Sequence, residues 1–97
     1  MASAEIKIQF ENRSDREIYE GAILAVPQAG LKIWKTREIA RLVLARGEVN
    51  GQEVQCNIMV SMVDKSVTLS AGSDDLDEDA LKTVLVHLEE TLKAQLA

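Results

Sequence analysis

Covalent or acid–base catalysis needs a nucleophile and a base held within hydrogen-bond reach of each other, and this sequence has few residues to offer. His87 is its only histidine and Cys56 its only cysteine. His87 falls beside an apolar helical stripe, flanked by Val84 and Leu88, and reads as a partly buried residue on a helix border. Cys56 falls on the inward side of a strand, where a thiol acts as a small hydrophobe, unlike the exposed, electropositively placed cysteines that react. No Ser-His-acid or Cys-His order assembles. The one enzymatic arrangement left is a pocket between the helices and the sheet with His87 or Asp64 near its mouth, and the expectation is a protein that is not an enzyme.

Metal and cofactor chemistry fare no better. Asp75, Asp77 and Asp79 offer oxygens at the first, third and fifth positions of a calcium loop, but the sixth and twelfth positions are Ala80 and Val86 instead of glycine and glutamate. The same acids are explained by the first turn of a helix, where the macrodipole favours negative charge. Cysteines and histidines do not cluster as a zinc site requires. Gly21, Gly30, Gly47, Gly51 and Gly72 form neither a phosphate-binding loop nor a dinucleotide fingerprint. No metal and no cofactor is expected.

Charge narrows the partners. The net charge of −5 argues against non-specific nucleic-acid binding, which depends on counterions released by lysine and arginine. The average hides a gradient: Lys32, Lys35, Arg37, Arg41 and Arg46 make residues 30–49 basic, whereas 73–97 hold seven acids against Lys82 and Lys93. Solvated faces and charge pairing account for most of this; a small RNA contact through Lys32, Lys35, Arg37 and Arg41 is the alternative. A lone cysteine allows no internal disulfide and suits a reducing compartment. The opening residues alternate instead of forming an apolar block, and no stretch approaches a membrane span, so a cytoplasmic protein without a membrane partner is expected.

The elements that must position these residues follow from periodicity. With 97 residues, 46% hydrophobic and 28% charged, one domain spanning 1–97 with an aliphatic core is expected, the only aromatics being Phe10, Tyr19 and Trp34. Residues 5–11 alternate as a strand. Ser14-Asp15-Arg16-Glu17 reads as a capping box, opening a helix that Pro27 and Gly30 close. Asn50-Gly51 supplies the two positive φ angles of a type I′ hairpin turn, so strands are expected at about 38–49 and 52–63, with Val49 opposite Gln52, Ala45 opposite Cys56 and Ile39 opposite Met62. Asp64-Lys65 would turn the chain again into a strand at 66–71, pairing Val63 with Ser66. Asp75 would cap a last helix whose stripe is Leu81, Val84, Leu85, Leu88, Leu92 and Leu96. The fold class is α+β, a two-layer β-α-β-β-β-α order with an antiparallel sheet and both helices on one face.

Residues 36–46 admit a second reading as a helix, capped by Thr36 and ended by Gly47, which would give β-α-α-β-β-α. Thr36–Ala40 has the look of the first helix of a helix-turn-helix, but Asn50-Gly51 and a β-branched run stand where a recognition helix belongs.

In the strand reading the sheet's outer face carries Gln55, Asn57, Ser61, Ser66, Thr68 and Ser70, which suit water, and also Leu42, Leu44, Met59 and Val63, which do not. Leu42 faces Met59 with Leu44 diagonal to them, and Trp34 stands close by in sequence. A contiguous apolar patch marks an interface. The expected function is therefore a small interaction module, a regulatory subunit, adaptor or chaperone-like binder, dimeric or partnered through Trp34, Leu42, Leu44, Met59 and Val63. The alternative is an RNA- or ribosome-associated factor.

Overall fold

A computed structural model describes residues 2–97. Its elements are β1 (Ala2–Gln9), α1 (Asp15–Gln28), β2 (Lys32–Arg37), β3 (Leu42–Val49), β4 (Gln52–Val60), β5 (Ser66–Ser73) and α2 (Glu78–Leu96). The five strands form one antiparallel sheet in the order β1-β5-β4-β3-β2. α1 lies over β2, β3 and β4, and α2 over β1 and β5, so both helices cover the same face. The class is the expected two-layer α+β, with one strand more than the sequence suggested.

Period-two alternation decides which side chains meet the helices. On β4, Val54, Cys56, Ile58 and Val60 are buried while Gln55, Asn57 and Met59 between them are exposed. Val43 and Ala45 of β3 and Val67, Leu69 and Ala71 of β5 complete this floor. Ile18, Ala22, Ala25 and Val26 of α1 and Leu81, Leu85, Leu88 and Leu92 of α2 close it from above. Where the helices meet, Gly21 of α1 leaves room for Leu96 of α2.

The turns explain the boundaries. Asn50 (φ 53°) and Gly51 (φ 81°) make the two-residue turn, and Val49↔Gln52, Gly47↔Val54, Ala45↔Cys56 and Leu42↔Met59 pair in the register expected from sequence. The expected 38–49 strand is shortened: residues 38–41 form a tight turn, β3 begins at Leu42, and the turn joins it to β2, a strand that ends at Arg37 and was not expected. Residues 36–46 are extended or turn, not helix. Ile39, placed by alternation on the inner face, lies in that turn at 91% exposure. Arg41 holds the turn at φ 51°, where its guanidinium meets Asp15 at 2.9 Å and the Glu38 carbonyl and lies over the Tyr19 ring.

The β4–β5 connection is also longer than a two-residue turn. Val60 pairs with Val67 and Ile58 with Leu69, a register two residues away from the expected one, and Met62 and Val63 leave the sheet for the turn. A slip of two preserves the face of each side chain that stays in the ladder, so Ile58, Val60, Val67, Leu69 and Ala71 remain inner, whereas Met62, expected inward, is exposed and Ser66, expected to be wet, is buried. The Ser61 hydroxyl accepts from the Val63 and Asp64 amides, while the Asp64 carboxylate accepts from the Ser66 amide (3.1 Å) and hydroxyl (2.7 Å).

Both helix starts use side-chain caps, one of them unexpected. Ser14 and Glu17 form the reciprocal capping box, which holds the Glu17 carboxyl below its ordinary value through the Ser14 amide it accepts. The chain passes helically through Pro27 and ends on Gly30 at φ 85°, with Leu31 N–H donating to the Val26 carbonyl and Gly30 N–H to that of Pro27. Proline thus sits in the last turn instead of stopping the helix before it. α2 is capped by Asp77, not Asp75, because the Ser73 hydroxyl accepts from the Asp75 and Leu76 amides and keeps residues 73–76 in a turn.

Candidate functional site

With both helices on one side, the opposite face of the sheet is covered by none of the described residues. From β1 across β5 to the middle of β4 it presents Ser3, Glu5, Gln55, Asn57, Thr68 and Ser70, small or charged groups that water satisfies. Its character changes at the β2–β3 end. Leu42 and Leu44 are half-buried, Met59 is 55% exposed and Trp34 50%.

Strand pairing brings these residues together. Leu42 faces Met59 on β4 and Arg37 on β2, and Leu44 faces Lys35. A bulge between Ile33 and Lys35 inserts one extra residue into β2, and Trp34 sits there. The Arg46 guanidinium lies 4.5 Å from the centre of the Trp34 ring, a stacked cation–π contact on the outer face. Arg46 in turn faces Lys32, a pair of like charges set directly opposite each other, an arrangement that destabilises a sheet. One step nearer the Asn50-Gly51 turn, Glu48 faces Glu53.

The other cations of the chain are largely neutralised at home. Lys7, Arg13, Arg16, Arg41, Lys82 and Lys93 each reach a carboxylate. Among the described residues, Lys32, Lys35, Arg37, Arg46 and Lys65 reach none; Lys65 lies in the β4–β5 connection, and the other four rim the apolar patch with unpaired positive charge.

Of the residues read from sequence as an interface, Trp34, Leu42, Leu44 and Met59 thus share one patch, whereas Val63 stands apart in the β4–β5 turn at 94% exposure. Of the proposed phosphate contacts, Lys32, Lys35 and Arg37 lie on the patch's rim, and Arg41 is turned away into its ion pair with Asp15. In the sequence Arg46 is only one residue of a basic segment; its place over Trp34 depends on the β2–β3 hairpin, which no turn motif announces.

The candidate catalytic groups are dispersed. Cys56 is fully buried in β4 and its thiol is pushed up to about 11 by desolvation. His87 is exposed on α2, not partly buried, with Lys82, Thr83, Val86 and Glu90 around it. Asp64 is held down to about 2, chiefly by the Ser66 hydroxyl, in a turn at the far end of β5. Among the described residues no helix is long and apolar enough to cross a membrane. The fold and face define a two-layer α+β chain with one uncovered, partly apolar, basic-rimmed sheet surface. No protein-family model and no curated protein matches the chain.

Proposed function

We propose that this chain is a small protein-interaction module, a regulatory subunit, adaptor or chaperone-like binder of a reducing compartment such as the cytoplasm, which takes its partner on the β2–β3 end of the outer sheet face. One observation carries the reading: Leu42, Leu44, Met59 and Trp34 lie uncovered together, ringed by four cations that have no carboxylate of their own. Burying the apolar residues supplies affinity, and an acidic partner surface would relieve the repulsion between Lys32 and Arg46. A second copy of the chain is the other occupant that would cover the patch. It fits less well, because stacking two such faces about an axis across the strands sets cations on cations.

The test uses Leu42→Glu/Met59→Glu, a variant whose folding is checked by circular dichroism. Proteins captured from the native cell by the wild-type chain are purified and titrated directly; binding is expected to weaken by about a hundredfold or more in the variant, as for a central contact. Equal binding by both proteins removes this face from the function. A wild-type dimer that the same variant dissociates would make the occupant a second copy.

A nucleic-acid reading draws on the same rim, since an exposed indole among unpaired cations is a stacking platform for single strands. Arg46 already covers one face of that indole, and Glu48 and Glu53 stand beside it, so we place this reading second. A fluorescent single-stranded RNA whose affinity falls steeply with salt and is lost in Lys35→Glu/Arg37→Glu would promote it.

A further inference from the structure

The two edges of the sheet are finished differently. β2 has three cations in six residues and a bulge, both of which discourage a further strand from adding. β1 has no bulge and a single cation, Lys7, offset by Glu5 two residues before it. Its eight residues keep one unbroken register against β5, contain no proline, and leave the other side of the strand unpaired.

What that edge would accept is written in its charges. On the outer face β1 presents Glu5 and Lys7, symmetrically placed about Ile6. A second β1, antiparallel and centred on Ile6, sets Glu5 of each copy opposite Lys7 of the other, Ala4 opposite Ile8 and Ser3 opposite Gln9. Paired positions share parity, so every side chain stays on its own face.

α2 overhangs the same edge and has the same symmetry. Glu78 and Lys82 border a groove with Ser3, Ala4 and Glu5, and Lys93 stands beside Gln9 and Phe10, so the helix runs in the direction of β1. Next to its buried stripe of Leu81, Leu85, Leu88 and Leu92 runs a second stripe, Glu78, Lys82, Val86, Glu89 and Lys93. Read against its own reverse about a point between Leu85 and Val86, this stripe sets Glu78 opposite Lys93 and Lys82 opposite Glu89, groups that within one chain pair as Glu78 with Lys82 at 3.1 Å and Glu89 with Lys93 at 2.8 Å, and it brings the two Val86 side chains close to the axis. With Glu78 and Lys82 along Ser3–Glu5 and Lys93 beside Gln9 and Phe10, the turns of α2 between them, Val86 included, pass the middle of β1. There Ile6 stays half-buried although Ala4 and Ile8 on either side are buried, and Val86 is 46% exposed.

Two elements distant in sequence therefore agree on one two-fold axis. We propose that β1 and the overhanging side of α2 form the contact between two copies of this chain, joining their five-stranded sheets into a continuous antiparallel sheet with the two α2 helices side by side. With α2 over β1 and β5, one strand spacing from the axis, the helices come about 10 Å apart, at the upper end of ordinary helix packing. The surface is distinct from the one used under Proposed function, which stays open in the dimer.

Sedimentation velocity at tens of micromolar tests the contact. The wild-type chain is expected to be a dimer. Lys7→Glu sets acid against acid twice across the axis and is expected to weaken association about tenfold or more, and the exchange Glu5→Lys/Lys7→Glu is expected to restore it. Leu42→Glu/Met59→Glu is expected to leave it unchanged. Because Lys7 also lies 3.9 Å from Asp64 of its own chain, hydrogen exchange supplies a second reading: in the wild-type protein the β1 amides are expected to slow as concentration rises. A monomeric wild-type chain, a dimer indifferent to Lys7→Glu, an exchange that fails to restore it, a dimer lost in the outer-face variant, or β1 amides that ignore concentration would each overturn the proposal.

Discussion

Ile58 and Met59 are neighbours on β4, both apolar, and their surroundings differ completely. Ile58 has no exposed surface, enclosed between the sheet and the helices, while Met59 looks out from the other face at 55% exposure. The difference between the two sides of the sheet teaches where this molecule's stability resides and where it has surface left over. The inner face is an aliphatic floor sealed by Leu81, Leu85, Leu88 and Leu92 from α2 and by Ile18 and Val26 from α1. The outer face is neutral toward β5 and leaves apolar groups and unpaired cations toward β2.

Substitution at the two neighbours is the sharpest way to break this contrast. Ile58→Ala is expected to cost about 2–5 kcal/mol, through lost burial and the cavity left behind, whereas Met59→Ser is expected to change stability by no more than about 0.5 kcal/mol. Urea unfolding of both variants measures the difference, and equal effects would mean that the outer face is covered.

A smaller contrast separates engaged from free cations. Arg41 joins the β2–β3 turn to the start of α1 through Asp15, with both side chains mostly buried. Removing it in Arg41→Ala is expected to cost about 1.5–3 kcal/mol as a lost charge-assisted hydrogen bond. Arg37→Ala, with no carboxylate to lose, is expected to stay within about 0.5 kcal/mol of wild type by the same unfolding measurement.

The smallest effect belongs to the β4–β5 turn. Asp64 ionises at about 2 in the fold against an ordinary 3.8, so between those values the unfolded chain binds the proton that the folded chain does not. Its contribution to stability is complete above pH 3.8 and is lost as pH falls toward 2. Carboxyl titration by NMR should give that low midpoint, and Ser66→Ala, which removes the hydroxyl donor, should move it upward.

How much of this was legible depended on how many side chains a segment commits to the core. β4 alternates cleanly, and Asn50-Gly51 fixes its register with β3, so the pairing of Leu42 with Met59 could be read directly. β2 could not: it lies at an edge, only Ile33 is even half-buried, and a bulge interrupts its period. Its turn into β3 uses Arg41 at positive φ, a residue that carries no turn signature, and what holds it there is Asp15, distant in sequence. The β4–β5 register lies two residues from the one the alternation implies because Met62 extends the apolar pattern, while the serine and aspartate hydrogen bonds that end the strand at Val60 have only weak sequence signatures. The outer patch was therefore half visible. Its apolar members follow from β3 and β4, but the stacking of Arg46 on Trp34 required the hairpin that sequence did not reveal.

Cys56 gives the fold its own clock. It is the chain's only thiol, fully enclosed on the middle strand of the sheet, and burial suppresses its ionisation. An alkylating reagent can therefore reach it only when sheet and helices part, and the rate of modification counts those openings without any introduced label.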